Sequence, residues 1–329
     1  MVNDDNKLSS VFDKKFFNME VYSHYKNNEW VSDPFIGFKL KKIKKIFNKK
    51  ILLETNKLGL RTRDDIKKKK YEIIFLGGSF VFGSYSPTDN DTIPKYYENL
   101  SKKKTLNAGV GGHILKQHLS LYYNYLYKNH PNKIFLIFGF NDMVNCFNNK
   151  KPDNLRVEFF DEHLSMSFCS LLKLLILKII KLTKIDFLFN FYKKIILFFR
   201  GCRIVNNKKN EYSRINEYCN ELAILLYNFN NFCITNKISL ITILQPTLLL
   251  SNKKLNSYEE NYMKKINTRK ISFAKKFYEI LAFKLSNFSN FYNYGNVYKN
   301  IKKGIFIDEV HTGDRGNLIF AKKLNTIIK

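Results

Sequence analysis

The sequence predicts an α/β protein built on a parallel sheet with helices on both faces. Three short apolar runs carry this prediction: YEIIFL at 71–76, IFLIF at 134–138 and ISLITIL at 238–244, each stopping at Gly or at Gln-Pro. Between them lie segments whose apolar residues recur at helical spacing. Strands alternating with helices call for right-handed crossovers, which bring the strand C-termini to one edge, where such sheets bind ligands.

In chain order, residues 71–76 read as a buried strand entering a tight turn at Gly77-Gly78, and the stretch to Leu100 as mainly helical. A second strand is expected at Thr105–Asn107, closed by AGVGG. Residues 114–128 carry Leu115, Leu119, Tyr122, Tyr123 and Leu126 at helical spacing. The run at 134–138 is apolar throughout, as a strand covered on both faces should be. Residues 238–244 repeat the pattern and stop at Gln245-Pro246, 258–286 read as Lys-rich helix, and 316–329 as a last helix.

Two regions depart from the alternation. Residues 1–70 contain DPFIGF and NKLGLRTRD and read as an irregular N-terminal lead-in to a domain at 71–329. Residues 150–215 read as an insertion. Within it, Lys173, Lys181 and Lys184 fall within about 80° of one another on a helical projection, opposite a broad Leu/Ile face. Two readings of 168–200 stay open: peripheral docking on an anionic membrane, or a cap helix lying apolar face down on the domain.

With 45% hydrophobic residues in 329, the chain can bury a large core, so neither a disordered tail nor a disulfide miniprotein is expected. Fifty-six Lys and Arg against 28 Asp and Glu give a formal charge of +28, which alone would suggest a polyanionic partner. Nearly all of the excess is Lys, and it travels with Asn, Ile, Phe and Tyr, as A/T-rich codons produce. Arg, whose planar fork reads phosphate and base edges, is scarce, so nucleic acid is not the expected partner. Arg61 and Arg63 are expected to be solvated at the surface rather than bound to an anionic glycan or lipid head group. Cys146, Cys169, Cys202, Cys219 and Cys233 form no CxxC pair, which indicates neither a disulfide framework nor a zinc site. The N-terminus lacks the apolar core of a secretory signal, and no uncharged run approaches the ~20 residues of a membrane span. A cytoplasmic location is expected.

Chemistry is concentrated in four segments: GGSF at 77–80, NAGVGG at 107–112, GFND at 139–142 and DEVH at 308–311. Ser79 follows a double Gly at a strand end, where the backbone can turn sharply and present a hydroxyl. A Ser hydroxyl is a weak nucleophile near neutral pH; it needs an imidazole as base, and the imidazole needs a carboxylate to fix its tautomer. Asp308 and His311 can supply both from one loop. Gly112 can offer a backbone N–H and Asn141 a side-chain amide to an oxyanion. Each signal alone is compatible with capping or turn chemistry. Together they put a nucleophile, donors, an orienter and a base at successive strand ends.

These four segments resemble the blocks of the SGNH hydrolases, also called GDSL-type esterases and lipases, and the resemblance runs from about Tyr71 to Lys329. It implies a flavodoxin-like three-layer α/β/α sandwich, with Ser79 as nucleophile, His311 as general base and Asp308 as its orienter. The Ser79 N–H, Gly112 and Asn141 would form the oxyanion hole. Gly78 stands where the GDSL motif has Asp. DPFIGF and NKLGLRTRD resemble lead-in segments of SGNH proteins found with bacterial surface-polysaccharide genes. The expected function is hydrolysis of an O-acyl ester, foremost O-acetyl, on a carbohydrate or glycolipid, with no metal or organic cofactor. The alternatives are an O-acyltransferase using the same residues and an inactive Lys-rich binding or membrane-peripheral protein.

Overall fold

Five parallel strands form the central sheet of the described residues. The computed structural model describes residues 9–13, 29–47, 49–66, 68–151 and 210–327. The chain divides into one compact unit, residues 1–156 with 215–329, and a second, 157–214; the description concerns the first. The amphipathic segment 168–200, and with it both readings of its role, lies outside the described residues.

Expected to be irregular, the lead-in instead forms, among its described residues, two antiparallel hairpins, β1 (Trp30–Asp33) with β2 (Gly37–Leu40) and β3 (Lys44–Phe47) with β4 (Lys50–Glu54). In the first, Asp33 closes the turn by accepting from the N–H groups of Phe35 and Ile36, while Gly37 takes a positive φ of 81°.

The sheet follows: β5 (Ile73–Gly77), α1 (Ser79–Phe82), α2 (Ile93–Ser101), β6 (Thr105–Gly109), α3 (Leu115–Leu121), β7 (Lys133–Phe138) and α4 (Phe140–Phe147). Then come α5 (Glu211–Thr235), β8 (Ser239–Leu244), α6 (Ser257–Met263), α7 (Thr268–Leu285), β9 (Phe291–Asn293) and α8 (Asp314–Thr326). Strand order is β6-β5-β7-β8-β9, all parallel. This is the doubly wound order in which the chain first moves to one side of β5 and then reverses. Right-handed crossovers therefore put α2 on one face and α3, α5 and α7 on the other. The expected three-layer α/β/α architecture is what forms.

Alternation along the strands fills both layers. Ile73, Phe75, Phe135, Ile137, Ile241 and Ile243 share one buried cluster with Tyr97 of α2 and Phe320 and Leu324 of α8. Phe75 and Phe135 stack across neighbouring strands at 4.7 Å between centroids. Ile74, Leu76, Ile134, Leu136, Leu240 and Leu244, pointing the other way, are equally buried. In that layer α5 meets α7, with Cys219 Sγ near the Phe277 carbonyl at 3.8 Å. Burial drives the Cys219 thiol well up, so it stays protonated.

Several boundaries differ from the sequence expectations. The helical pattern at 258–286 is two helices, because Asn267 caps a fresh start by accepting from the Arg269 N–H. The pattern at 114–128 ends as a π-turn and a 3₁₀ turn after Leu121. Strand β9 and helices α4 and α5 are not among the elements the sequence predicts.

A fully buried ion pair fixes the C-terminal loop. Lys253 bonds Glu259, both side chains are 0% exposed, and Glu259 also accepts from the N–H groups of Asn256, Ile305 and Phe306. Glu259→Gln should lower stability by about 3–5 kcal/mol, because Lys253 would be left charged, buried and unpaired. Chemical denaturation of the two proteins checks this; equal midpoints would contradict it.

Candidate active site

The order in which the chain adds strands reverses between β5, which ends at Gly77, and β7, which ends at Phe138. Open α/β sheets bind their ligands in the crevice at such a switch point. Ser79 follows β5 and Asn141 follows β7, so both motifs lie at this crevice.

Ser79 opens α1, a single turn that ends at Gly83 with φ +79°. The turn packs tightly against β6: a Cβ on Gly109 would lie 2.2 Å from the Phe82 nitrogen. Ser79 is only 7% exposed, but its hydroxyl has a partner. His311 Nε2 lies 2.6 Å from Ser79 Oγ, and His311 Nδ1 lies 2.6 Å from Asp308 Oδ2. The residues are separated by 232 positions in sequence.

Asp308 Oδ1 accepts from the backbone N–H groups of Val310 and His311, at 2.9 and 2.8 Å. Burial raises its pKa, but the His311 ring and these N–H groups outweigh burial and hold the carboxyl below its ordinary 3.8. An ionised Asp308 requires the proton on Nδ1, which leaves Nε2 to accept from the Ser79 hydroxyl. The ring of Tyr85 lies 5.1 Å from that of His311.

The loop carrying both residues is anchored from several directions. A bridge between Phe306 and Thr312 closes it, and Ile307 N–H donates to the His311 carbonyl. The Glu309 carbonyl accepts from Leu248 N–H and the Thr247 hydroxyl, and the Glu309 side chain pairs with Lys270. Thr312 donates to Asn317, whose amide donates to Ser86 and to the Asp91 carbonyl. Residues 9–13 lie against the same loop: Val11 and Phe12 pack on Ile307, and Arg315 donates to the carbonyls of Ser10, Phe12 and Gly304.

Gly112 has a left-handed φ of 80°, which favours Gly there. Its neighbour His113 presents a carbonyl that accepts from Asn141 Nδ2 at 2.8 Å. That amide nitrogen would lie 2.7 Å from a Cβ on Gly78, so Gly78, His113 and Asn141 are immediate neighbours beside Ser79. Here the Asn141 amide takes the space that a side chain at position 78 would need. All five sequence-predicted site residues thus fall in one region, and Ser79, His311 and Asp308 form a continuous hydrogen-bonded chain.

Other residues brace this region without having been singled out from sequence. The His113 ring bonds the Phe38 carbonyl at 2.9 Å, Gln117 donates to the Ile36 carbonyl and Ser120 to the Phe35 carbonyl. The DPFIGF turn is therefore docked on the segment after Gly112. His118 is held well below 6.5 by burial and then by His113, so it is neutral. Arg61, expected to be solvated, is instead 5% exposed and enclosed, whereas Arg63 is 60% exposed on its side chain and pairs with Glu54. Among the described residues no cluster of His, Cys, Asp and Glu could hold a metal ion, and no helix is long and apolar enough to cross a membrane.

No family model matches the chain, and no curated protein matches it. Solved structures do. A catalytic mutant of an acetylxylan esterase from Geobacillus stearothermophilus is 11% identical, with 78% of this chain and 94% of that one covered and a TM-score of 0.42. A GDSL-like lipase from Bacteroides thetaiotaomicron is 12% identical, with 81% and 91% covered and a TM-score of 0.37.

Proposed function

We propose that the chain is a serine hydrolase that cleaves an O-acyl ester through an acyl-enzyme. The observation that carries this is the unbroken relay from Ser79 Oγ through His311 to Asp308, two contacts of 2.6 Å ending on an ionised carboxylate.

In this reading Ser79 Oγ attacks the ester carbonyl carbon while its proton passes to His311 Nε2. The electron pair of the carbonyl bond moves to oxygen. That oxyanion is met by the N–H groups of Ser79 and Gly112 and by the Asn141 amide. Ser79 begins α1, where a first-turn N–H has no intrahelical acceptor, so its N–H is available to the substrate. Collapse of the adduct breaks the bond to the alcohol oxygen, which takes the proton from His311. Water then attacks the acyl-Ser79, giving its proton to His311, and the carboxylic acid leaves as Ser79 recovers its hydrogen. Asp308 stays ionised throughout and stabilises the imidazolium.

The motif resemblance points to an O-acyl, foremost O-acetyl, ester on a carbohydrate or glycolipid. Turnover of acetylated sugars, compared with long-chain p-nitrophenyl esters, tests that choice; preference for the long chains would redirect it to lipids. Asn141→Ala should lower kcat by roughly 10²–10³ with KM little changed, since its amide acts on charge that develops only in the transition state. An equal kcat in the two proteins would remove Asn141 from the oxyanion hole.

A further inference from the structure

The motif NKLGLRTRD has no part in the chemistry above, yet its Arg61 side chain reaches the nucleophile's turn. Asn56 Oδ1 accepts from the N–H groups of Leu58 and Leu60, and Gly59 sits at φ +75°, with an added Cβ only 2.5 Å from the Leu40 carbonyl oxygen. This tight turn sends Arg61 inward. Its Nε donates to Asp89 at 2.7 Å and its Nη2 to the Leu52 carbonyl at 2.8 Å. Nη1 donates to the carbonyls of both Phe82 and Gly83, the last residue and the C-cap of α1. The guanidinium also stands over the Phe82 ring. Asn107 of β6 donates to the same Phe82 carbonyl.

A one-turn helix has too few internal hydrogen bonds to hold its own orientation. Its carbonyl end, three to four residues from Ser79, is gripped by a planar fork that spans β4, α1 and the Asp89 turn. A single ammonium cannot reproduce that set of directions.

We infer that Arg61 is a positioning residue, which acts through the carbonyls of Phe82 and Gly83 to hold Ser79 in line with His311. The assignment rests on Ser79 being the nucleophile. A misplacement of about 1 Å in reacting groups can cost on the order of 10² in rate while substrate binding persists. The Arg61 grip should therefore appear in kcat rather than in KM.

The test compares the full-length protein with Arg61→Lys, Arg61→Met and Asn107→Ala, using p-nitrophenyl acetate turnover, fluorophosphonate labelling rates and thermal unfolding. Phe229→Leu, in the helical layer of α5, serves as a control destabilised away from the site. Both Arg61 variants are expected to lose roughly 10–100-fold in kcat and in labelling rate with KM within about threefold. Asn107→Ala should show a smaller loss of the same kind, and Phe229→Leu none. Folded Arg61 variants with wild-type kcat would overturn the inference. So would a kcat loss in Phe229→Leu equal to that of the Arg61 variants at matched stability. Should both Arg61 variants fail to fold, a wild-type kcat in Asn107→Ala overturns it and a reduced kcat with unchanged KM supports it. Failure of the wild-type protein itself to turn over or label would instead strike the hydrolase reading.

Discussion

Ser79→Ala is expected to lower kcat for ester hydrolysis by roughly 10³–10⁶ and to abolish fluorophosphonate labelling, with thermal unfolding little changed. The substitution removes one hydroxyl from a residue whose backbone is set by the β5–α1 turn, so the fold has little reason to respond. What survives is the His311–Asp308 pair and the oxyanion donors, which can still assist attack by water. That residue of catalysis sets the upper bound on the loss. Turnover of the variant within tenfold of wild type would mean that Ser79 is no nucleophile, whatever its distance from His311.

Asp308→Asn should cost roughly 10⁴ in kcat. Asn can keep the acceptor for the Val310 and His311 N–H groups, so the loop is expected to hold its shape. Its amide, however, would donate to Nδ1 and drive the ring proton to Nε2. The Ser79 hydroxyl then has no acceptor. The pH dependence separates this from simple loss of charge. Because the Asp308 carboxyl is held below 3.8, its contribution to stability is complete above the unfolded-state value and is lost only as pH falls through the lower folded one. A fall in kcat/KM between pH 8 and pH 5 therefore does not come from Asp308. An acid limb that disappears in Asp308→Asn while kcat at pH 8 remains unchanged would contradict the assigned roles.

The residues assigned to the proposed reaction are legible because each sits in a short motif whose chemistry has few other uses in combination. Ser79 after Gly77-Gly78, Asn141 after a buried strand, and Asp308 with His311 in one loop could be joined by the rule that strand ends converge. The residues that hold them were not legible. Arg61 lies in LRTRD, a charged stretch that reads as solvated, and only the three-dimensional path of the hairpins turns it inward. Glu259 sits in an acidic, capped helix start, where a carboxylate is ordinary; its burial follows from the loop at 304–306 folding back over it. Helix α4 spans FNDMVNCF, eight residues directly after a strand, too short for periodicity to separate from the apolar run before it. Strand β9 has three residues, for which no period exists. The lead-in reads as irregular because the four strands among its described residues are four or five residues long and its turns depend on Asp33 and Asn56 side chains, which pattern alone does not reveal.

The most direct test of the central claim is peptide mapping of the full-length protein after reaction with a fluorophosphonate. One adduct is expected, on Ser79, with labelling suppressed by prior incubation with an ester substrate and absent from His311→Ala. A folded protein that takes no label, or that takes it on a different residue while Ser79 stays unmodified, would contradict the account.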